Sequence, residues 1–195
     1  MKTSRLKDTL CALAKRSLCA SFALFVAAAL SACAVGARAT GAPKVPSATA
    51  YTVRVEIGEV ENRIVEGKVR GHTLRADQPK AFGADDTAPT PPETLAFALG
   101  SCVVSTGRLI ALQRKLPIRK ISAVVEGELD FAKAMGANAE QRAGFFGLKI
   151  AVDIDGDLEP QSERELLREI GARCPMCDNL ANETPLSLEL APEAR

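Results

Sequence analysis

The segment from Thr90 to Lys115 constrains the fold most. Thr90-Pro91-Pro92-Glu93 supplies an N-cap threonine, a proline at the first helical position and a glutamate three residues after the threonine. That combination is a capping box, in which the two side chains satisfy each other's backbone donors. The next proline is Pro117, so one helix runs from here to about Lys115. Leu95, Ala98, Leu99, Cys102, Leu109 and Ile110 fall near one stripe, which places Cys102 in mid-helix on the buried side. A helix of this length must lay its stripe on something, and the segments on either side read as strands.

Before the helix, Tyr51, Val53, Val55 and Ile57 alternate with Thr52, Arg54 and Glu56, the pattern of a half-buried strand. Glu59 to Val69 and Gly71 to Ala76 read as two more strands, with a turn near Gly71. Residues 77–91 form a polar loop. After the helix come a strand from Ile118 to Phe131, a loop to Gly144 and a strand from Gly147 to Ile154. A second helix spans Ser162 to about Arg173. Cys174 to Asn182 forms a tight turn or short helix, and Leu186 to Leu190 a final strand. Three strands, a helix, two strands, a helix and a strand make an α+β domain over residues 51–195.

The first 32 residues read differently. Lys2, Arg5, Lys7, Lys15 and Arg16 precede an apolar run from Leu18 to Leu30, too short to span a bilayer, which takes about 20 apolar residues. A basic segment, a short apolar run and small residues form a signal peptide, here residues 1–32. Leu30-Ser31-Ala32-Cys33 resembles the bacterial lipoprotein cleavage box, in which the cysteine becomes the first mature residue and carries the acyl chains. The expectation is an exported protein, anchored to a membrane by lipid on Cys33. Ala34 is not the Asp linked to inner-membrane retention, so the periplasmic side of the outer membrane is the expected address. Residues 33–50, rich in Ala, Gly, Pro, Ser and Thr, form the lipidated tether.

The chain has 25 basic and 24 acidic side chains, 4% aromatic residues and no Trp. That balance gives no charged face for nucleic acid and no base-stacking surface. Three cysteines remain in the folded part: Cys102, Cys174 and Cys177. An odd count in an exported protein leaves at least one thiol unpaired or reactive. Only Cys174 and Cys177 have ligand-like spacing, so no metal site is expected, and nothing in the sequence calls for a cofactor.

The chain resembles the OsmC/Ohr family of thiol proteins, specifically its general OsmC-like branch. The resemblance rests on three segments: Gly71-His72-Thr73-Leu74-Arg75-Ala76-Asp77-Gln78-Pro79; Pro92-Glu93-Thr94-Leu95 with Ala98-Leu99-Gly100-Ser101-Cys102; and Arg173-Cys174-Pro175-Met176-Cys177-Asp178-Asn179-Leu180. It implies an OsmC-like fold, an antiparallel-rich sheet wrapped around a long central helix in an intertwined homodimer. It implies a thiol-dependent peroxidase that reduces organic or lipid hydroperoxides with two cysteines. Cys102 would be the attacking (peroxidatic) thiolate and Cys174 the resolving thiol, with Leu99 and Val103 lining an apolar substrate pocket. An unidentified thiol reductant would reset the pair. In the peroxidase members an Arg held by the helix-leading Glu lowers the thiol's pKa. Glu93 matches that Glu, and Arg54, Arg63 and Arg75 are the candidate cations.

Glu93 and Cys102 are nine residues apart. On one straight helix that is about 13.5 Å and two and a half turns, which points the side chains to opposite faces. A Glu93 that orients the Cys102 site must then come from a second subunit, or the helix must be broken between them. Other readings of these residues stay open. Cys102 fits a small core position, Glu93 a capping-box partner alone, and His72 a plain strand residue. Cys177 is a possible second resolving thiol. With Cys174 it forms a Cys-x-x-Cys motif that suits either a structural disulfide or a thiol–disulfide oxidoreductase. A non-catalytic lipoprotein that binds a small apolar ligand is the third possibility.

Overall fold

The computed structural model describes residues 48–137 and 140–191. The signal peptide, Cys33 and all but the last three residues of the tether lie outside the described residues. Two antiparallel sheets flank one long helix. The first sheet has the order β1 (Glu56–Glu59), β2 (Val65–Val69), β3 (His72–Ala76). Helix α1 (Pro91–Arg114) follows, then the hairpin β4 (Ile118–Glu128) and β5 (Gly147–Gly156), and finally α2 (Pro160–Arg173) and α3 (Pro175–Ala181).

α1 begins as its sequence dictates. Thr90 is the N-cap; its hydroxyl accepts from the Glu93 amide, and the Glu93 carboxylate accepts from the Thr90 amide at 2.7 Å. The helix ends at Lys115, in the left-handed region at φ 54°. β4 lies on α1, and α2 and α3 pack against the same helix. Gly107 permits this approach: a Cβ there would sit 2.9 Å from Ile170 Cδ1 and 3.1 Å from Ile121 Cδ1. The core gathers Val103, Ile110 and Ala111 of α1, Ile118 and Ile121 of β4, and Leu166 and Ile170 of α2, with Cys174 among them. β5 alternates strictly, and Leu148, Ile150, Val152 and Ile154 form its half-buried face. The long-helix stripe is correct at Leu99 and Ile110, but Leu109 is half exposed.

The strands depart from expectation in three ways. Glu59 to Val69 is not one strand: Asn62 and Arg63 have positive φ, and the Ile64 amide donates to Glu61 O, so residues 60–64 turn the chain between β1 and β2. The β2–β3 turn does fall at Gly71, where Arg70 and Gly71 have φ of 48° and 80°, as a two-residue hairpin turn needs. Tyr51, Val53 and Ile57, read as the buried face of a strand, are 70, 68 and 70% exposed, because no element of the described chain lies over them. The expected strand Leu186–Leu190 is likewise extended but unpaired, its three leucines at least 87% exposed. Among the described residues the antiparallel strands form a three-stranded and a two-stranded sheet beside the one long helix, the antiparallel-rich architecture expected.

The polar loop before α1 is held by Asp77. Its buried carboxylate accepts from the amides of Gln78 and Thr87 and from the Thr87 hydroxyl, at 2.7–2.9 Å. Phe82 in this loop meets Phe131 edge-on, with ring centroids 5.6 Å apart.

Candidate functional site

The three thiols come together at the junction of α1, α2 and α3, although 72 positions separate the first two. Each has a structural reason to be there. Cys102 sits in the middle of α1, half-buried and packed against the core. Cys174 ends α2 and begins α3: its amide donates to Ile170 O, while its Sγ accepts from the Cys177 amide at 3.3 Å as the N-cap of α3. It is 1% exposed. Pro175 at the first position of α3 forces α2 to end at this point. Cys177, three residues on, is half-buried. All three thiols are free.

Burial raises the pKa of Cys102, and the neighbouring Cys174 side chain raises it further. Two donors act the other way, the Met176 amide and the Thr106 hydroxyl. The environment thus holds two thiols within interaction range, with hydrogen-bond donors to the first and, among the described residues, no cation acting on it. Sequence reasoning missed both donors. Thr106 is one turn after Cys102, a spacing that a helical i,i+4 reading could have found. The Met176 amide is a backbone group brought in by the α2–α3 turn and leaves no mark in the sequence.

The other predicted site residues lie elsewhere. Glu93 is engaged with Thr90, whose amide and hydroxyl hold its carboxyl below the usual carboxylate range. Glu93 and Cys102 lie on the same uninterrupted helix. Of the candidate cations, Arg54 pairs with Glu56, Arg63 donates to Phe82 O, and Arg75 lies 3.7 Å from Glu66. None of the three contributes to the Cys102 environment. Arg75 and Glu93 do share one open hollow of about 770 Å³ with Asp86, Thr87 and Phe97. A second hollow of about 460 Å³ lies between Phe97, Gly100, Ser101 and Val104 of α1 and Ala123 and Val125 of β4. Leu99 and Val103 are each 2% exposed and line neither hollow. His72 is exposed on β3. Among the described residues, no three His, Cys, Asp or Glu side chains are placed to hold a metal.

A long core helix carrying one thiol against a second, on an α+β scaffold of split antiparallel sheets, defines a dithiol protein of a particular kind. The chain belongs to the OsmC-like protein family, whose model matches residues 83–189. Solved structures share the fold. An OsmC-like protein from Mycoplasma pneumoniae superposes with a TM-score of 0.60 at 16% identity, covering 68% of this chain and 89% of its own. An organic hydroperoxide resistance protein from Elizabethkingia anophelis gives 0.54 at 17% identity, covering 70% and 93%. An organic hydroperoxide resistance protein from Legionella pneumophila gives 0.50 at 23% identity, covering 67% and 89%. No curated protein matches the sequence.

Proposed function

We propose that the protein is a thiol-dependent peroxidase acting on organic or lipid hydroperoxides, with Cys102 as attacking thiolate and Cys174 as resolving thiol. The observation that carries this reading is the meeting of the Cys102 and Cys174 side chains, both free, beside an apolar core. The Cys102 thiolate attacks the distal oxygen of ROOH, the O–O bond breaks, and Cys102 becomes a sulfenic acid as the alkoxide takes a proton and leaves as ROH. The Cys174 thiol then condenses with the sulfenic acid; a disulfide forms and water leaves. Low polarity around the sulfur favours an apolar peroxide over hydrogen peroxide. Two of the structural relatives are named for organic hydroperoxide resistance, which supports the substrate class.

The thiolate needs a cation, since burial alone favours the neutral thiol, and among the described residues none acts on Cys102. A second copy of the chain is the proposed source. Arg75 and Glu93, close together on one open hollow, are the groups it would bring, with Glu93 as the orienting residue. The bare apolar residues Tyr51, Val53, Ile57 and Phe97, and the unpaired 186–190 segment, support the same homodimer, because exposed apolar area of this extent is ordinarily covered. Export and lipid anchoring through Cys33 complete the proposal. They place the peroxidase beside membrane lipid and away from cytoplasmic reductants, so an exported thiol reductant must serve it.

Stopped-flow consumption of cumene hydroperoxide by the reduced protein, set against hydrogen peroxide, tests the reading. The expected result is faster reaction with the organic peroxide. Cys102→Ser loses it entirely, while Cys174→Ser leaves a sulfenic acid that dimedone traps. A rate equal to that of a free thiol would instead leave a ligand-binding protein. Metabolic labelling with palmitate, present in the wild type and absent in Cys33→Ser, tests the anchor.

A further inference from the structure

Cys174 is the shared neighbour of two thiols. On one side stands Cys102, its partner in the proposed peroxide chemistry. On the other stands Cys177, whose amide donates to the same Cys174 sulfur at 3.3 Å. The N-cap and third residues of a helix face each other, as in a capping box, where the third side chain reaches back to the cap. Side chains three positions apart on a helix have Cβ atoms roughly 5–6 Å apart, and a small adjustment brings them to the 3.5–4.5 Å that a disulfide takes. The two possible bonds to Cys174 differ in where they leave the second sulfur. Bonded to Cys102, it is attached to the core helix and occupies the attacking thiol. Bonded to Cys177, it is attached to α3, a helix with no buried residue of its own. Cys174 is too deeply buried to exchange directly with a protein substrate. That argues against Cys174 as an entry point for external thiols and in favour of Cys177.

We propose that the three cysteines form a relay in which Cys177 takes the disulfide from Cys102 and presents it to the reductant. The step is an internal exchange. The Cys177 thiolate attacks Cys174 Sγ of the Cys102–Cys174 bond; the Cys174–Cys177 bond forms, and Cys102 leaves as a thiolate. No net oxidation or reduction occurs. The departing Cys102 thiolate falls back among the Met176 amide and Thr106 hydroxyl, both donors to it. An external thiol reductant then attacks the Cys177 sulfur and supplies two electrons and two protons in all to restore both thiols. The relay rests on the peroxidase reading for its first bond, and it frees Cys102 before any reductant arrives.

The test uses the mature protein, with residues 1–32 removed and Cys33 lipidated so that Cys102, Cys174 and Cys177 are its free thiols, reduced and freed of reductant, with cumene hydroperoxide and disulfide mapping of rapidly alkylated samples. The wild type is expected to consume two equivalents of peroxide per chain. It ends with a Cys174–Cys177 bond and Cys102 as a dimedone-reactive sulfenic acid. Cys177→Ser consumes one equivalent and stops at Cys102–Cys174, a twofold difference in stoichiometry. Cys102→Ser forms no bond over the same interval. A wild type that stops at one equivalent with Cys102 bonded to Cys174 overturns the relay and leaves the peroxidase intact. A Cys174–Cys177 bond that forms equally fast in Cys102→Ser also overturns it. Uptake of peroxide by none of the proteins overturns the peroxidase reading, and the relay falls with it.

Discussion

The two sheets of this protein are built alike and buried differently. Both are antiparallel, and both precede or follow the same helix. β5 alternates, and β4, with a register shift between Ile118 and Lys120, packs both Ile118 and Ile121 into the core on α1. The β1–β3 sheet follows an alternating stretch too, yet every residue of β1 is exposed, and Tyr51 and Val53 are 70 and 68% exposed. The difference teaches that alternation reports a surface that must be covered and is silent on what covers it. For β4–β5 the cover is α1, which packs on β4 and is itself backed by α2, all folded back within one chain. For β1–β3 the described chain offers none, and a second copy is the proposed cover.

The largest expected effect lies in the packed region. Leu166 is fully buried, and Leu166→Ala should cost about 2–5 kcal/mol in urea unfolding, through lost burial and a cavity. A cost under 1 kcal/mol would show that this core is loose. Ile57→Ser asks the opposite question of the bare sheet. In an isolated chain it should change little, because Ile57 is already solvated. With the proposed partner in place it should weaken self-association about tenfold, equivalent to roughly 1.4 kcal/mol, by sedimentation equilibrium. An unchanged association constant would separate this face from any interface. Thr90→Ala should cost about 1 kcal/mol by removing the N-cap of α1. It also frees Glu93, so a peroxide rate that changes more than stability does would mark the carboxylate as more than a cap.

The smallest expected effect is with pH. Hydrogen bonds from Thr87 and Gln78 hold Asp77 below its ordinary value, and those from Thr90 do the same for Glu93. Each therefore contributes stability that is fully present above the unfolded carboxylate pKa and is lost as pH falls through the lower folded one. The melting temperature should fall below about pH 4. Asp77→Asn, which cannot ionise, should flatten part of that slope, and an unchanged slope would remove Asp77 from the account.

Much of this was legible because it is local. The α1 start was written in Thr90, Pro91 and Glu93, whose side chains and backbone lie within one turn. The Gly71 turn and the end of α2 before Pro175 were equally readable. The 60–64 turn was not: Asn62 and Arg63 carry positive φ without the glycine that usually announces it. Leu186–Leu190 misled for another reason, since strand pattern cannot supply a strand partner. At the site, the resemblance pointed to Cys102 and Cys174, while the Met176 amide and the Asp77 loop staple had no sequence signal, both depending on how distant turns are set.

The sequence alone determined the elements of the packed region, their order and the thiols they carry, because capping, periodicity and proline position act within a few residues. Tertiary structure alone decided which thiols meet. Cys174 reaches Cys102 because Pro175 stops α2 where Ile170 and Leu166 have already docked it on α1, and Gly107 lets that docking come close. Proximity across 72 positions is a property of packed helices, whose burial energy sums over many side chains and cannot be assigned to any short stretch of the chain.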